Sequence, residues 1–139
     1  MAPAPCVQGP EGGEACFGRC GAVTGITRRS QHRVLTGLPS LAEEGGVAAA
    51  GPVDVGFSGW TGYLLVGNPG GGTDTREQFG PAGRRFGKLL KVNLHGIKAV
   101  ADFPAFEGAN NPDGAPAPSP ARRSTATPTG CWSATAPGW

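Results

Sequence analysis

Aromatic residues are scarce in this chain: 7% of its 139 residues are Phe, Trp or Tyr. Charged residues make up only 16%, and the formal net charge is +2. So small an imbalance argues against an electrostatic draw to nucleic acid or to an anionic membrane surface. Long apolar runs are also missing. The longest clean ones, "YLLV" and "GVAAAG", fall far short of the roughly 20 residues that cross a bilayer as a helix. The N-terminal stretch "MAPAPCVQGPEGGEACFG" has neither a basic n-region nor an apolar h-region. As written, the chain is expected to stay in the cytoplasm.

Glycine and proline are abundant instead, at 25 and 14 residues. Such a level without a strict period fits either low complexity or a β fold with many turns. The length allows one domain at most.

The four cysteines are Cys6, Cys16, Cys20 and Cys131. Cys6 and Cys16 bracket the Gly-rich "VQGPEGGEA" and would close it as a disulfide in an oxidising compartment. Cys16 and Cys20 have the spacing of half a zinc site, but no second pair follows, and His32 and His95 stand alone. Cys20 and Cys131 are left without an evident role.

Strand patterns run along the chain. "GAVTGIT" and "HRVLTGL" alternate and read as a hairpin across "RRSQ". "SLAEEGG" has Ser40 and Glu43 at capping-box spacing, which predicts one helical turn. "PVDVGFSG" alternates, and "GYLLVG" reads as a buried strand. "TREQFG" predicts a short helical turn. "FGKLLKVN" and "IKAVADF" form a second hairpin across "LHG". Pro104 sits well at the first position of a short helix, "PAFEGANN". The two hairpins share a grammar of Gly, strand, polar turn, strand, Pro and an acidic segment. Grouped in fours, the strands from Val53 to Phe103 form one antiparallel unit, preceded by the last half of another. Such a unit repeating every 40–50 residues or so marks a β-propeller, and a small six-stranded sheet or barrel is the alternative. The expected class is therefore all-β and antiparallel, with short helical turns in the loops.

No motif for chemistry survives scrutiny. "GFSGW" lacks the last glycine and the following helix of a nucleophile elbow. "GNPGGG" lacks the lysine and the crossover helix of a phosphate loop. Asp54, Asp74, Asp102 and Asp113 are too scattered for a calcium loop. Asp113 suits an Asx turn before Gly114, and Asn110 and Asn111 suit the end of a helix. The Arg pairs at 28–29, 84–85 and 122–123 read as solvated turns. Lys88 and Lys91 do not share a helical face. No catalytic, cofactor-binding or metal residue is assigned.

"PCVQGPEGGEACFG", "GAVTGIT", "RVLTGLPSLAEEGG", "GPVDVGF", "REQFGPAGRRFGKLLKVN" and "VADFPAFEGANNPDG", taken together and in this order, resemble the ScyD/ScyE family. These are secreted proteins that look like β-propellers, named after members of the scytonemin biosynthesis gene cluster. The resemblance covers about Pro5–Gly114. It implies an extracytoplasmic binding or scaffold module with an unnamed ligand and no cofactor. Members are longer, with a signal peptide and an earlier blade segment before "PCV" and further blades after "NNPDG". The expected partners are thus a ligand and the missing blades, with no nucleic acid and no membrane. On this reading residues 1–20 form a Gly/Pro-rich cysteine loop. Residues 21–114 form about one and a half blades, and 115–139 a separate tail.

That tail contains little but Ala, Pro, Ser, Thr and Arg before Cys131 and Trp132. Family members continue after "NNPDG" with something like "VDSNPYGLLV". Shifting the frame by two bases over Arg123–Gly138 forces Leu at Cys131-Trp132 and permits that whole string. A frame-shifted tail is the expectation, and a native disordered tail is the alternative. Trp132 and Trp139 then carry no role.

Two rival functions stay open. Related six-bladed propellers include lactonases that hold a metal with Glu, Asn and Asp on inner strands. Only Asp54 lies near such a place, which makes it a weak ligand-site candidate. A truncated gene product without function is the other, since open strand edges predict aggregation.

Overall fold

A computed structural model describes residues 5–9, 12–70, 73–111, 113–114 and 123–124. Two antiparallel sheets account for most of them. The first has strand order β4-β3-β2-β1-β9. Its strands are β1 (Cys6–Gln8), β2 (Glu14–Ile26), β3 (Gln31–Glu43), β4 (Ala49–Ala50) and β9 (Arg123–Ser124). The second runs in chain order: β5 (Pro52–Ser58), β6 (Thr61–Val66), β7 (Lys88–Asn93) and β8 (Gly96–Asp102). Helices α1 (Thr73–Glu77) and α2 (Gly80–Gly83) fill the β6–β7 connection, and α3 (Phe103–Asn110) follows β8.

The all-β class and the four-stranded unit between Val53 and Phe103 agree with the sequence patterns. Alternation explains the second sheet. Leu64 lies opposite Leu90 on one face and both are buried, whereas Tyr63 lies opposite Lys91 on the other and both are half-buried. "GYLLVG" is thus buried on one face rather than two.

The first sheet differs from expectation in three ways. Ser40 does not start a helix, because its hydroxyl bonds across the sheet, donating to the Gly18 carbonyl and accepting from the Cys20 amide. The strand therefore runs on to Glu43, and only Glu44–Gly46 coil, as a 3-10 turn. "VQGPEGGEA" is not a free loop. Its ends pair as strands, with Val7 opposite Ala15 and Gln8 opposite Glu14. β2 runs unbroken through Cys20 and Gly21. β2 and β3 are each 13 residues long, and their pairing slips between Gly18 and Gly21 and again near Val23. Gly37 lies at that irregularity with φ of 72°, a left-handed bulge position that favours glycine.

The core lies between the sheets. Val7, Ala15, Leu38 and Leu41 come from the first sheet, and Leu64, Val66 and Leu90 from the second. Phe79 and Phe86, from the β6–β7 connection, complete it. Phe17 stacks on Phe79 with centroids 5.1 Å apart, and Phe86 meets both rings edge-on at 6.1 Å. One ring of this trio belongs to the first sheet and two to the helical connection, so the aromatics join the two halves.

Candidate functional site

A charged polar cluster is built on the connections around the second sheet. Arg76 of α1 is a buried charged residue. A buried guanidinium needs partners for its donors, and it has three contacts. Nη1 donates to the Phe86 carbonyl at 3.1 Å and to Asp102 Oδ1 at 2.8 Å. Nη2 donates to Asp102 Oδ2 at 2.7 Å. This is the bidentate fork that suits Arg and a carboxylate. Lys88 Nζ, at the start of β7, lies 3.6 Å from Oδ2.

Asp102 has a second task. It is the N-cap of α3, and its Oδ1 accepts from the Ala105 amide at 3.2 Å, with proline following at the first turn. The hydrogen bond from Arg76 is the largest influence on its carboxyl. With the Ala105 amide and the positive charges of Arg76 and Lys88, it outweighs the opposing effect of partial burial and holds the carboxyl below its ordinary range. Both carboxylate oxygens and both terminal guanidinium nitrogens are engaged with protein groups. The cluster is therefore a clasp between α1, β7 and the β8–α3 corner, not a poised acid or base.

The residues singled out from sequence lie apart. Cys6 and Cys16 are disulfide-bonded, as their spacing allowed, and they face each other directly across β1 and β2 with Cα atoms 4.1 Å apart. Cys20 is also disulfide-bonded, which corrects its reading as a residue without a role. Asp54 is exposed on β5, and its Oδ1 accepts from the amide of its own neighbour Val55 at 2.8 Å. Asn110 donates its Nδ2 to the Phe106 carbonyl at 2.8 Å. Asn111 is left-handed, with φ of 40°, and its amide donates to the Glu107 carbonyl. The Gly114 amide donates to the Asn111 carbonyl at 3.1 Å, with Asp113 in the turn between them. In the tail only Arg123 and Ser124 are described, and they pair with β1. Cys131, Trp132 and Trp139 lie outside the described residues.

Among the described residues, no three His, Cys, Asp or Glu side chains come together in a way that would hold a metal. Two shallow clefts flank β4. One, of about 290 Å³, is lined by Glu43, Ala48, Ala49, Asn68 and Pro69. The other, of about 330 Å³, is lined by Thr24, Arg33, Ser40 and Pro52 among others. Both sit near the lower end of the roughly 300–1,000 Å³ typical of ligand pockets. Glu43 is buried beside the first, and its carboxylate fills the space a Cβ would need at Gly9 and at Gly13. It is committed to the β1–β2 turn.

Sequence reading missed the clasp. Asp102 before "FPAFEG" carries a legible cap signal, but nothing local links it to Arg76, 26 residues earlier. No family model matches the chain, and no curated protein or solved structure matches it significantly.

Proposed function

We propose that this chain is part of an extracytoplasmic β-propeller-like protein of the ScyD/ScyE type, working as a binding or scaffold module rather than an enzyme. The observation that supports it best is the second sheet. Strands β5 to β8 form a four-stranded antiparallel meander in chain order, packed by one face on a neighbouring sheet. A propeller blade is such a meander, stacked face to face with its neighbours. The opposite face offers half-buried Tyr63, Leu65 and Leu89, to which a further blade would apply itself. The disulfide between Cys6 and Cys16 favours an oxidising compartment.

The deciding experiment is to sequence the coding DNA from well upstream of Met1 to well beyond Trp139 and translate all three frames. The expected result is a second frame that reads "NPYGLLV" and continues into further strand-pair units. Absence of any such frame overturns the propeller reading and leaves a small self-contained β domain. A calcium titration followed by thermal melting tests the non-enzymatic part. A metal held by the native state raises the melting temperature by mass action, and a clear rise would favour a lactonase-like protein instead.

A further inference from the structure

Among the described residues, strand β5 is an edge of the second sheet and pairs with β6 alone. The two strands are joined by the two-residue turn Gly59-Trp60, which makes Ser58 and Thr61 the hydrogen-bonded closing pair. Bonded pairs then alternate, recurring at Gly56 opposite Tyr63 and at Asp54 opposite Leu65. The backbone groups of Val55 and Phe57 therefore point away from β6, toward the open edge. The Val55 amide shows this directly: it donates to the Asp54 side chain, filling in for a strand.

The side chains at this edge are apolar and uncovered. Val55 and Phe57 share a face with their cross-strand partners Leu64 and Gly62, where Leu64 is fully buried. Yet Val55 is 43% exposed, Phe57 76% and the adjacent Trp60 fully so. Natural edge strands are usually guarded by lysines, prolines or inward charges. Here proline stands only at the first position, and Asp54 is the sole charge in Pro52–Ser58.

We propose that β5 pairs with β5 of a second copy of the chain, antiparallel about a two-fold axis at Val55. This goes beyond the propeller reading, which gives partners to the sheet faces and not to this edge. The strand is self-complementary about that axis. Val55 meets Val55 of the other copy and Asp54 meets Gly56, while the register shift between Pro52 and Asp54 takes Val53 out of the regular ladder. The only charge thus faces a glycine, no like charges oppose each other, and the branched Val55 pair at the axis is a favourable one. The two Val55 residues exchange both backbone hydrogen bonds. A two-fold pairing closes on itself and stops at a dimer. The Asp54 carboxylate acts as a latch, because it must release the Val55 amide before the strands can join.

The test is sedimentation of the full chain over a concentration series. The wild type is expected to dimerise reversibly. Val55→Lys and Val55→Glu should each be monomeric, because each places like charges face to face. An equimolar mixture of the two should recover a dimer, which also shows that both variants fold. Asp54→Ala should dimerise at least about tenfold more tightly, since one competing hydrogen bond is gone from each of the two copies. The proposal is overturned by a wild type that stays monomeric to about 1 mM. It is equally overturned by single variants that still dimerise, or by a mixture that does not.

Discussion

Removing the Asp102 carboxylate should cost this protein a large share of its stability, and the structure says how much and why. Asp102 neutralises Arg76, whose side chain is only 8% exposed, while Asp102 itself is 29% exposed. Asp102→Asn keeps a good helix cap for α3 and one oxygen for Arg76 Nη1, but it leaves the buried guanidinium without its counter-charge and Nη2 without its carboxylate acceptor. Breaking a buried pair from one side costs about 3–5 kcal/mol. Partial exposure of the pair, and the water it admits, favours the lower end, so about 3 kcal/mol is expected. Asp102→Ala also loses the cap and should cost about 1 kcal/mol more. Arg76→Met should be milder than either, because Asp102 keeps Lys88, the cap and some water. Domains of this size are stable by about 5–15 kcal/mol, so even the first variant should shift the urea midpoint plainly.

The assay is urea unfolding followed by far-UV circular dichroism, since fully exposed Trp60 makes fluorescence a poor reporter. The pH dependence gives a second handle. The folded carboxyl titrates below its unfolded value, so its contribution is complete above the unfolded pKa near 4. It is lost as pH falls through the folded value. The gap between wild type and Asp102→Asn should be widest at neutral pH and close in acid, below about pH 4. A gap under about 0.5 kcal/mol at pH 7, or one that persists unchanged in acid, would refute the clasp.

Three further outcomes follow from the packing. The double variant Cys6→Ala/Cys16→Ala opens a loop with a sequence separation of 10. Loop entropy puts the cost at about 3 kcal/mol, readable in thermal melts of purified protein. Phe86 is fully buried at the centre of the aromatic trio, so Phe86→Ala should cost about 3–5 kcal/mol by denaturant titration. Gly87 has φ of 71°, and a Cβ there would come within 2.6 Å of the Pro104 ring. Gly87→Ala should therefore lower stability by more than about 1 kcal/mol, with α3 exchanging its amides faster.

The second sheet was legible because its strands carry local signals. "VDVGF" alternates, Gly-rich or polar turns separate the runs, and each strand pairs with its neighbour in the chain. β1 was not legible: three residues between Pro5 and Gly9 carry too little periodicity, and only pairing across the turn defines them. Ser40 to Glu43 has the spacing of a capping box, but a tertiary bond overrode the local preference. The clasp was hidden because its partners meet only once the β6–β7 connection has folded back on β8. Asp54 was noticed for its charge, while its contact with Val55 depends on which way an edge strand turns its amides.

The chain-order pairing of β5, β6, β7 and β8 also bears on how the protein acquires its structure. Two of the three steps of that sheet, β5 to β6 and β7 to β8, join segments separated only by short turns, so little loop entropy is lost there before contacts begin to compensate. The β5–β6 and β7–β8 hairpins can form first on the microsecond scale of isolated hairpins. Their union must wait for the longer connection that carries Phe79 and Phe86. That connection supplies both the aromatic core and the Arg76 clasp, so the slow event and the stabilising event coincide. Folding should accordingly be cooperative across both sheets, and changes at Phe86 should slow it more than changes at the tip of either hairpin.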